Sequence, residues 1–171
     1  MIFRLATLQD LPRLKDMYRR IIAYLDEVNM QIWDDYYPCE LLEGDVEKQQ
    51  LYVMVQGDTP VAAFALCQSS GGANHVEWEE PGASALYLER LGVDTLHMRS
   101  GLASQMLQKA VEVTREQGRE YLRLFAASSN PPSLALYRKN GFRQAKGNFE
   151  EVIDENWTLS EYGFEIRVKK T

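Results

Sequence analysis

Short apolar runs and amphipathic segments alternate along the 171-residue chain, and their order restricts the folds open to it. Apolar runs or strict alternation predict strands, whereas apolar residues at every third or fourth position predict helices. The predicted strands are 2–6, 51–55, 61–68, 85–93, 121–127, 142–147 and 162–170, and the predicted helices are 7–29, 38–49, 100–117 and 130–140. The resulting order, β-α-α-β-β-β-α-β-α-β-β, predicts a fold of the α/β class.

The length and composition fit a single domain over residues 1–171. Hydrophobic residues make up 45% of the chain and charged residues 26%, which excludes wholesale disorder. The longest apolar run, 60–67, is too short to span a bilayer, and the first ten residues lack the apolar segment of a secretory signal. We therefore expect a cytoplasmic protein with reduced thiols and no membrane partner.

The net charge of −6 and the small number of metal-binding side chains narrow the range of ligands. A surplus of carboxylates argues against a nucleic-acid partner and fits a positively charged small substrate better. Two histidines and the distant Cys39 and Cys67 provide no cluster of metal ligands, so no metal site is expected.

Two polar stretches are predicted to lie outside the regular elements. Residues 69–84 are rich in glycine and polar side chains, and loops of this length are usually functional or disordered. Trp78 in this loop has two open interpretations, a lid over a cleft or a contact with a second subunit. Residues 150–157 are acidic and are predicted to link the last two strands.

One chemistry-bearing stretch lies where the predicted strand 85–93 leads into the helix that begins near Ser100. The small residues Gly101 and Ala103 let a ligand approach the backbone closely. The unpaired N–H groups of a first helical turn carry about half a positive charge, which suits a phosphate or a diphosphate. The alternative interpretation is that Gly101 and Ala103 only permit tight packing of the helix against a strand.

A second stretch, 130–142, contains a short helix with clear signals at both ends. Asn130 is a good N-cap, the prolines that follow suit a first turn, and Gly141 lies just past the end. Seven residues of helix turn through about 700°, so Asn130 and Tyr137 project from nearly the same side. The alternative is that Asn130 only caps the helix and Tyr137 only packs.

Together the two stretches resemble the GNAT superfamily of acetyl-CoA-dependent N-acetyltransferases. The family's first motif, Arg/Gln-x-x-Gly-x-Gly/Ala, aligns with residues 98–103. Its second motif, an Asn followed seven residues later by Tyr and then by Gly-Phe, aligns with Asn130, Tyr137, Gly141 and Phe142. The resemblance covers about residues 2–147. It implies a three-layer fold whose mixed, mostly antiparallel sheet has central parallel strands that splay apart and helices on both faces.

The resemblance also implies that acetyl-CoA is the cofactor and lies where the strands 85–93 and 121–127 splay apart. Its pantetheine arm then pairs with the backbone of the first strand, and its diphosphate rests on the amides at the helix start. The family Asn contacts the cofactor arm or an ordered water, and the family Tyr lies beside the thioester sulfur. The implied cofactor-binding residues are Leu91, Val93, Arg99, Ser100, Gly101, Leu102, Ala103, Ser104, Asn130 and Tyr137.

The implied reaction is direct attack of an amine on the thioester in a ternary complex, which needs an acid and a base. The leaving thiol has a pKa of about 8.5, so Tyr137, a phenol with a pKa of about 10, can donate a hydrogen bond or a proton to it. The amide of Val93 can polarise the carbonyl oxygen. Glu89, two residues before Leu91 in the strand, is the candidate base. A surface salt bridge is the alternative role for Glu89, and ordered water is the alternative base.

Two positions depart from the family pattern. Met98 stands where the family usually has Arg or Gln, so the charge toward the phosphates falls to Arg99 or to the amides alone. Some members carry a Glu five residues before the motif Asn, and Phe125 occupies that position here. These departures leave a second function open, an acyl-CoA-binding sensor with weak or no turnover.

The acceptor is expected to be a primary amine of a small molecule, a peptide or a protein. In this family the first helices and the late strands determine which acceptor is used. The candidate acceptor-binding residues are Trp33, Asp35 and Tyr37, with Asp34, Tyr36, Glu150, Glu151, Asp154 and Glu155 as further acidic or aromatic residues. Carboxylates beside aromatic rings suit a cationic amine, and a solvated acidic surface is the alternative. The sequence leaves a homodimer open.

Overall fold

The computed structural model describes residues 1–169, and within them every predicted helix and strand is present, several with shifted ends. The helices are α1 (Leu11–Glu27), α2 (Leu42–Glu47), α3 (Leu102–Glu116) and α4 (Pro131–Lys139). The strands are β1 (Ile2–Leu5), β2 (Leu51–Gln56), β3 (Thr59–Cys67), β4 (Ala85–Val93), β5 (Tyr121–Ala127), β6 (Arg143–Gln144), β7 (Phe149–Asp154) and β8 (Trp157–Arg167).

The described chain divides into two compact units. The first unit consists of Met1–Leu66 and Arg90–Met106, and the second consists of Cys67–Glu89 and the described residues from Leu107 onward. Strand β4 and helix α3 each contribute residues to both units, so the chain changes unit inside regular elements.

In the first unit the strand order is β1-β2-β3-β4. Strand β2 lies antiparallel to both of its neighbours, with Val53 opposite Arg4 of β1 and opposite Ala63 of β3. Residues 60–66 of β3 are all buried, as their continuous apolar sequence predicts for an inner strand.

Helix α1 presents an apolar stripe at helical spacing, and its buried residues are Leu14, Met17, Tyr18, Ile21 and Ile22. At its start the Thr7 amide donates to the Asp10 carboxylate at 2.7 Å, and the Arg4 guanidinium pairs with the same carboxylate at 2.7 Å. A Cβ on Gly92 of β4 would lie 2.9 Å from Cε1 of Tyr18. Glycine at this position therefore permits the close approach of α1.

In the second unit the strand order is β4-β5-β8-β6, and β7 pairs with β8. Strands β4 and β5 run parallel and pair from Ala85 opposite Tyr121 to Leu88 opposite Leu124. The pairing stops there, although β5 continues to Ala127 and pairs antiparallel with β8 along its whole length. The described parallel pairing thus ends before β5 does. The eight described strands make the predicted mixed, mostly antiparallel sheet.

The late strands differ from the prediction. The acidic stretch predicted as a linker, 150–157, instead supplies most of β7 and the turn into β8, which begins at Trp157. An edge strand with one solvated face tolerates this many carboxylates, which hide its strand pattern. The strand predicted at 142–147 is only two residues long. Of the strand predicted at 162–170, residue 170 lies outside the described residues.

The long loop 69–84 packs against the second unit, and its centre is buried. Trp78 is only 7% exposed, and its indole N–H donates to the Ala73 carbonyl at 2.8 Å. The guanidinium of Arg123 lies 4.7 Å from the centre of the Trp78 ring, and the Phe125 ring lies 5.7 Å away. Trp78 is therefore a core residue of this unit.

Candidate active site

The start of α3, in the first unit, is open. Arg99 and Gly101 have positive φ angles of 60° and 83°. Residue 101 is a glycine, which adopts such an angle without strain. A Cβ added at Gly101 would meet no heavy atom within 4 Å, so the alternative of tight packing finds no support at this residue. The Ser100 hydroxyl donates to the His97 carbonyl, and the buried Leu102 holds the first turn. This exposed helix start suits an anion.

The end of β4, also in the first unit, carries the predicted arm-binding residues Leu91 and Val93, both half-buried. Gly92 between them faces α1, so their side chains leave the strand on the other side. Arg90 has a φ of 58°, and its carbonyl accepts a hydrogen bond from the Tyr18 hydroxyl at 2.6 Å. The regular alternation that links Glu89 to Leu91 in the sequence argument is therefore interrupted at Arg90.

A buried ion pair holds Arg90 at this interruption of the strand. The sequence analysis did not predict the pair. Arg90 donates through Nε and Nη2 to the two carboxylate oxygens of Asp45, at 2.8 and 2.7 Å. The side chains are 7% and 5% exposed. The only signal in the sequence was an arginine in the middle of a mostly apolar strand, which needs a partner when it is buried.

The predicted acceptor-binding residues lie in the first unit and have different environments. Trp33 packs against the Tyr18 ring at 5.6 Å between centres, and the Tyr37 ring lies 5.7 Å from the Arg90 guanidinium. Asp35 is exposed. Two of the three side chains thus support buried neighbours, and their role toward an acceptor stays a prediction.

Helix α4, in the second unit, carries Asn130 and Tyr137. The Asn130 side chain accepts a hydrogen bond from the Ser133 amide at 3.3 Å, so it acts as the N-cap. The Tyr137 ring is 8% exposed and packs against Phe142 and Phe164. Among the described residues its hydroxyl makes no hydrogen bond.

Burial, and then the negative charge of Glu89, raises the pKa of the Tyr137 hydroxyl. The phenol therefore keeps its proton at neutral pH and can donate it. The electrostatic effect also shows that the structure brings Glu89 and Tyr137 into the same neighbourhood, both within the second unit.

Two more carboxyl groups belong to this neighbourhood, and the sequence analysis did not connect them to Glu89. Phe149 of β7 lies opposite Glu161 of β8, and Glu151 lies opposite Leu159, so Glu151 and Glu161 are diagonal neighbours on one face. Burial, a hydrogen bond to Glu151, and the charges of Glu151 and Glu89 raise the pKa of Glu161 to about 9. Glu161 went unnoticed because β8 was expected to begin after it.

Comparison with known proteins identifies the family. Residues 14–142, most of the chain, match the model of the acetyltransferase (GNAT) family. The chain belongs to the GNAT family. Membership confirms the predicted family, which is a family of acetyltransferases with acetyl-CoA as their cofactor.

Solved GNAT structures share the fold. A GNAT-family acetyltransferase from Listeria monocytogenes is 18% identical, with a TM-score of 0.74 over 97% of this chain and 94% of that one. YncA from Salmonella typhimurium, solved with its cofactor acetyl-CoA, is 16% identical, with a TM-score of 0.72 over 100% and 95%. These likenesses confirm the predicted three-layer GNAT-like fold.

Sequence relatives match a smaller part of the chain. A mycothiol acetyltransferase from Clavibacter sepedonicus is 36% identical over 64 residues, which cover 37% of this chain and 20% of the relative. The match thus spans about a fifth of the length of that curated relative.

The residues present fit the GNAT cofactor. Acetyl-CoA carries a diphosphate and a thioester, so it needs an anion-binding backbone and a donor for its sulfur. In the first unit, the turn at Gly101 is exposed and unobstructed. In the second unit, the Tyr137 hydroxyl is held by a buried ring and has no described partner. The chain thus contains both features that the cofactor requires.

Proposed function

We propose that this chain transfers the acetyl group of acetyl-CoA to a primary amine of a small molecule, a peptide or a protein. The observation that carries the proposal is the Tyr137 hydroxyl, which has no described hydrogen-bond partner and lies within the electrostatic reach of Glu89. A buried phenol that keeps its proton is suited to protonate a leaving thiolate.

The cofactor is proposed to contact backbone in the first unit. The amides at the start of α3, residues 99–104, bind the diphosphate, and the positive φ of Gly101 lets the turn present them. The backbone of Leu91 and Val93 pairs with the pantetheine arm. Asn130 positions α4 through its N-cap bond and contacts the arm with the rest of its side chain.

The acid and the base are proposed to come from the second unit. When bound, acetyl-CoA supplies a thioester whose carbonyl carbon is attacked and whose sulfur leaves. Glu89 takes a proton from the incoming ammonium group so that the nitrogen has a free electron pair. Tyr137 donates its proton to the sulfur as the C–S bond breaks. The second proton that the nitrogen loses as the amide forms restores the Tyr137 hydroxyl, and the proton held by Glu89 is released to solvent. An ordered water between Glu89 and the amine is the alternative route for the first proton.

The setting of this activity is proposed as follows. Residues 1–171 are proposed to be a single GNAT-type N-acetyltransferase domain. Cys39 is a buried thiol outside any disulfide bond, which fits the reducing cytoplasm. Among the described helices, none is long and apolar enough to cross a membrane. The proposed partner is the amine substrate, and no nucleic-acid partner is proposed. The homodimer stays a prediction, which a measurement of the oligomeric state in solution tests.

The proposal is tested by the release of free thiol from acetyl-CoA with a panel of amines. Wild-type protein should release thiol in an amine-dependent way, and Tyr137→Phe should lower kcat about 100-fold or more because it removes the proton donor. Tyr24→Phe removes the same hydroxyl from α1 and should leave kcat unchanged. Equal kcat for Tyr137→Phe and wild type would remove the tyrosine from the mechanism.

A sensor that binds acyl-CoA without turnover is the second candidate function. Phe125 favours it, because this position packs against Trp78 and Phe149 where some family members have a glutamate. Tight binding of coenzyme A by calorimetry, with no thiol release for any amine in the panel, would select the sensor over the transferase.

A further inference from the structure

We propose that Arg90, Asp45 and Tyr18 are positioning residues for the stretch of β4 that binds the pantetheine arm of acetyl-CoA. All three lie in the first unit, and they act through the conformation of the strand without touching the cofactor. The inference rests on the proposed function, in which the backbone of Leu91 and Val93 pairs with the arm. It gives the long-range contacts of Arg90 a role in cofactor affinity as well as in stability.

The first argument is the backbone conformation of Arg90. Its φ of 58° lies in the left-handed region, which is unfavourable for a residue with a Cβ atom. Within the described strands, Arg90 is the one residue with a positive φ. Strained backbone persists only where its surroundings hold it, and it is concentrated at functional sites. An arginine kept in this conformation inside a strand therefore indicates a function for the interruption.

The second argument is that contacts from two helices hold this conformation. The Arg90 guanidinium donates to both carboxylate oxygens of Asp45 in α2, at 2.8 and 2.7 Å. The Tyr18 hydroxyl of α1 donates to the Arg90 carbonyl at 2.6 Å. Burial raises the pKa of this hydroxyl, so it keeps its proton and remains a donor. One contact thus holds the side chain of Arg90, and the other holds its backbone.

The Tyr18 ring also packs against the arm-binding stretch itself. A Cβ on Gly92, between the two proposed arm-binding residues, would lie 2.9 Å from Cε1 of Tyr18. The Tyr18 side chain is completely buried. The same side chain therefore donates to the backbone of Arg90 and limits the movement of the residues that follow.

The third argument is the direction of the amides after Arg90. The Asp94 amide donates to the Val61 carbonyl of β3 at 2.8 Å. Because the amides of successive strand residues point to alternate edges, those of Leu91 and Val93 point away from β3. In an unbroken strand the Arg90 carbonyl would point toward β3, but it bonds to α1 instead. An interruption of this kind re-aims the residues after it. The positive φ of Arg90 therefore determines which edge the arm-binding amides face.

The test compares two double variants that both lack the ion pair and its two charges. Arg90→Met with Asp45→Leu puts a residue with a Cβ atom at the positive φ. Arg90→Gly with Asp45→Leu puts a residue there that adopts this angle without strain. Titration calorimetry with coenzyme A measures the affinity of each protein. The first double variant should bind coenzyme A about tenfold more weakly than wild type, and the second within about threefold of wild type.

The stability of the two double variants should follow the opposite order. Arg90→Gly leaves a cavity that Arg90→Met largely fills, so the second double variant should have the lower urea midpoint. A purely structural role would make the less stable protein the weaker binder, whereas the positioning role makes it the stronger one. Asp10→Ala is the matched control, because it removes another ion pair of the first unit and should keep the wild-type affinity for coenzyme A.

A second ligand separates the arm from the diphosphate. ADP carries a diphosphate and lacks the pantetheine arm, so its affinity should be equal in wild type and in both double variants. Tyr18→Phe removes only the hydroxyl that holds the Arg90 carbonyl, and it should weaken coenzyme A binding about threefold or more. Tyr24→Phe makes the same change elsewhere on α1 and should match wild type.

The outcomes separate the positioning role from the proposed function. If wild type releases no thiol with any amine while the two double variants lose and regain coenzyme A affinity as expected, the transferase function fails and the positioning role stands. If wild type turns over while the first double variant keeps the wild-type affinity, the transferase function stands and the positioning role is overturned. Equal losses in both double variants, a parallel loss of ADP affinity, or no binding of coenzyme A by wild type would also overturn it.

Discussion

Two buried carboxyl groups, one in each unit, are stabilised in opposite ways. Asp45 in the first unit faces the Arg90 guanidinium in a two-point ion pair, and both side chains are almost completely buried. Among the described residues, Glu161 in the second unit has Glu151 and Glu89 as its charged neighbours, and it keeps a proton instead. The free-energy cost of removing a carboxylate from water must be offset. A neighbouring cation or a bound proton offsets this cost.

The difference separates a carboxylate paired with an arginine from a carboxyl group whose pKa is raised. The Asp45 oxygens already accept hydrogen bonds from Arg90 and Gln50, so little is left for a ligand. Glu161 makes no ion pair among the described residues, and burial with the neighbouring carboxyl groups of Glu151 and Glu89 raises its pKa. The partners of a buried carboxyl group, and not its burial alone, therefore decide whether it carries a charge.

The largest expected effect concerns the compensated pair. Asp45→Asn leaves the Arg90 charge buried without its counter-ion, which should lower the free energy of unfolding by about 3 kcal/mol or more. Urea unfolding measured by circular dichroism checks this value. In contrast, a double variant, Arg90→Met with Asp45→Leu, removes both charges and should lie within about 1.5 kcal/mol of wild type. A loss below 1 kcal/mol for Asp45→Asn would show that the pair contributes little.

The second prediction concerns Glu161, whose replacement should raise the free energy of unfolding, whereas that of Asp45 lowers it. The pKa of Glu161 is near its ordinary value of 4.5 in the unfolded chain and about 9 in the folded protein. A group whose pKa is raised in the folded state contributes its full stabilisation of the fold at pH values below its unfolded pKa. This contribution is lost as the pH rises toward 9. Glu161→Gln cannot ionise, so it should gain stability relative to wild type between pH 5 and 9, by about 1–3 kcal/mol. Urea midpoints across this range measure the gain, and a constant difference would contradict it.

The same contrast explains what the sequence could reveal. The helices, the strands and the two motifs follow from local spacing, and the positive φ of Gly101 agrees with the residue type at that position. The Arg90–Asp45 pair joins residues 45 positions apart, and no local pattern predicts such a contact. Glu161 required the correct start of β8, which the charges of β7 concealed. Contacts between residues far apart in the sequence were therefore the part that remained hidden.

A smaller effect is expected at Asp10, a second compensated carboxylate. Hydrogen bonds from Arg4 lower its pKa, against the effect of burial, and the Thr7 amide adds to the lowering. Asp10→Ala should cost about 1–2 kcal/mol at neutral pH because it removes the start of α1 and the ion pair. A group whose pKa is lowered in the folded state stabilises the fold at pH values above its unfolded pKa. This contribution is lost as the pH falls through the folded pKa. The difference from wild type should therefore shrink below about pH 4, and an unchanged difference in acid unfolding would contradict the assignment.

The smallest expected effect on stability is at Gly101, where the comparison between fold and function is sharpest. Gly101→Ala adds a methyl group into open space, so its cost comes from the φ of 83° alone and should be about 1 kcal/mol. Gly82→Ala, also in open space but without a positive φ, should cost nothing measurable. The same methyl group would stand on the turn proposed to bind the diphosphate, so Gly101→Ala should weaken coenzyme A binding about tenfold by calorimetry. A variant that loses stability but keeps its affinity would show that this glycine serves the turn and not the cofactor.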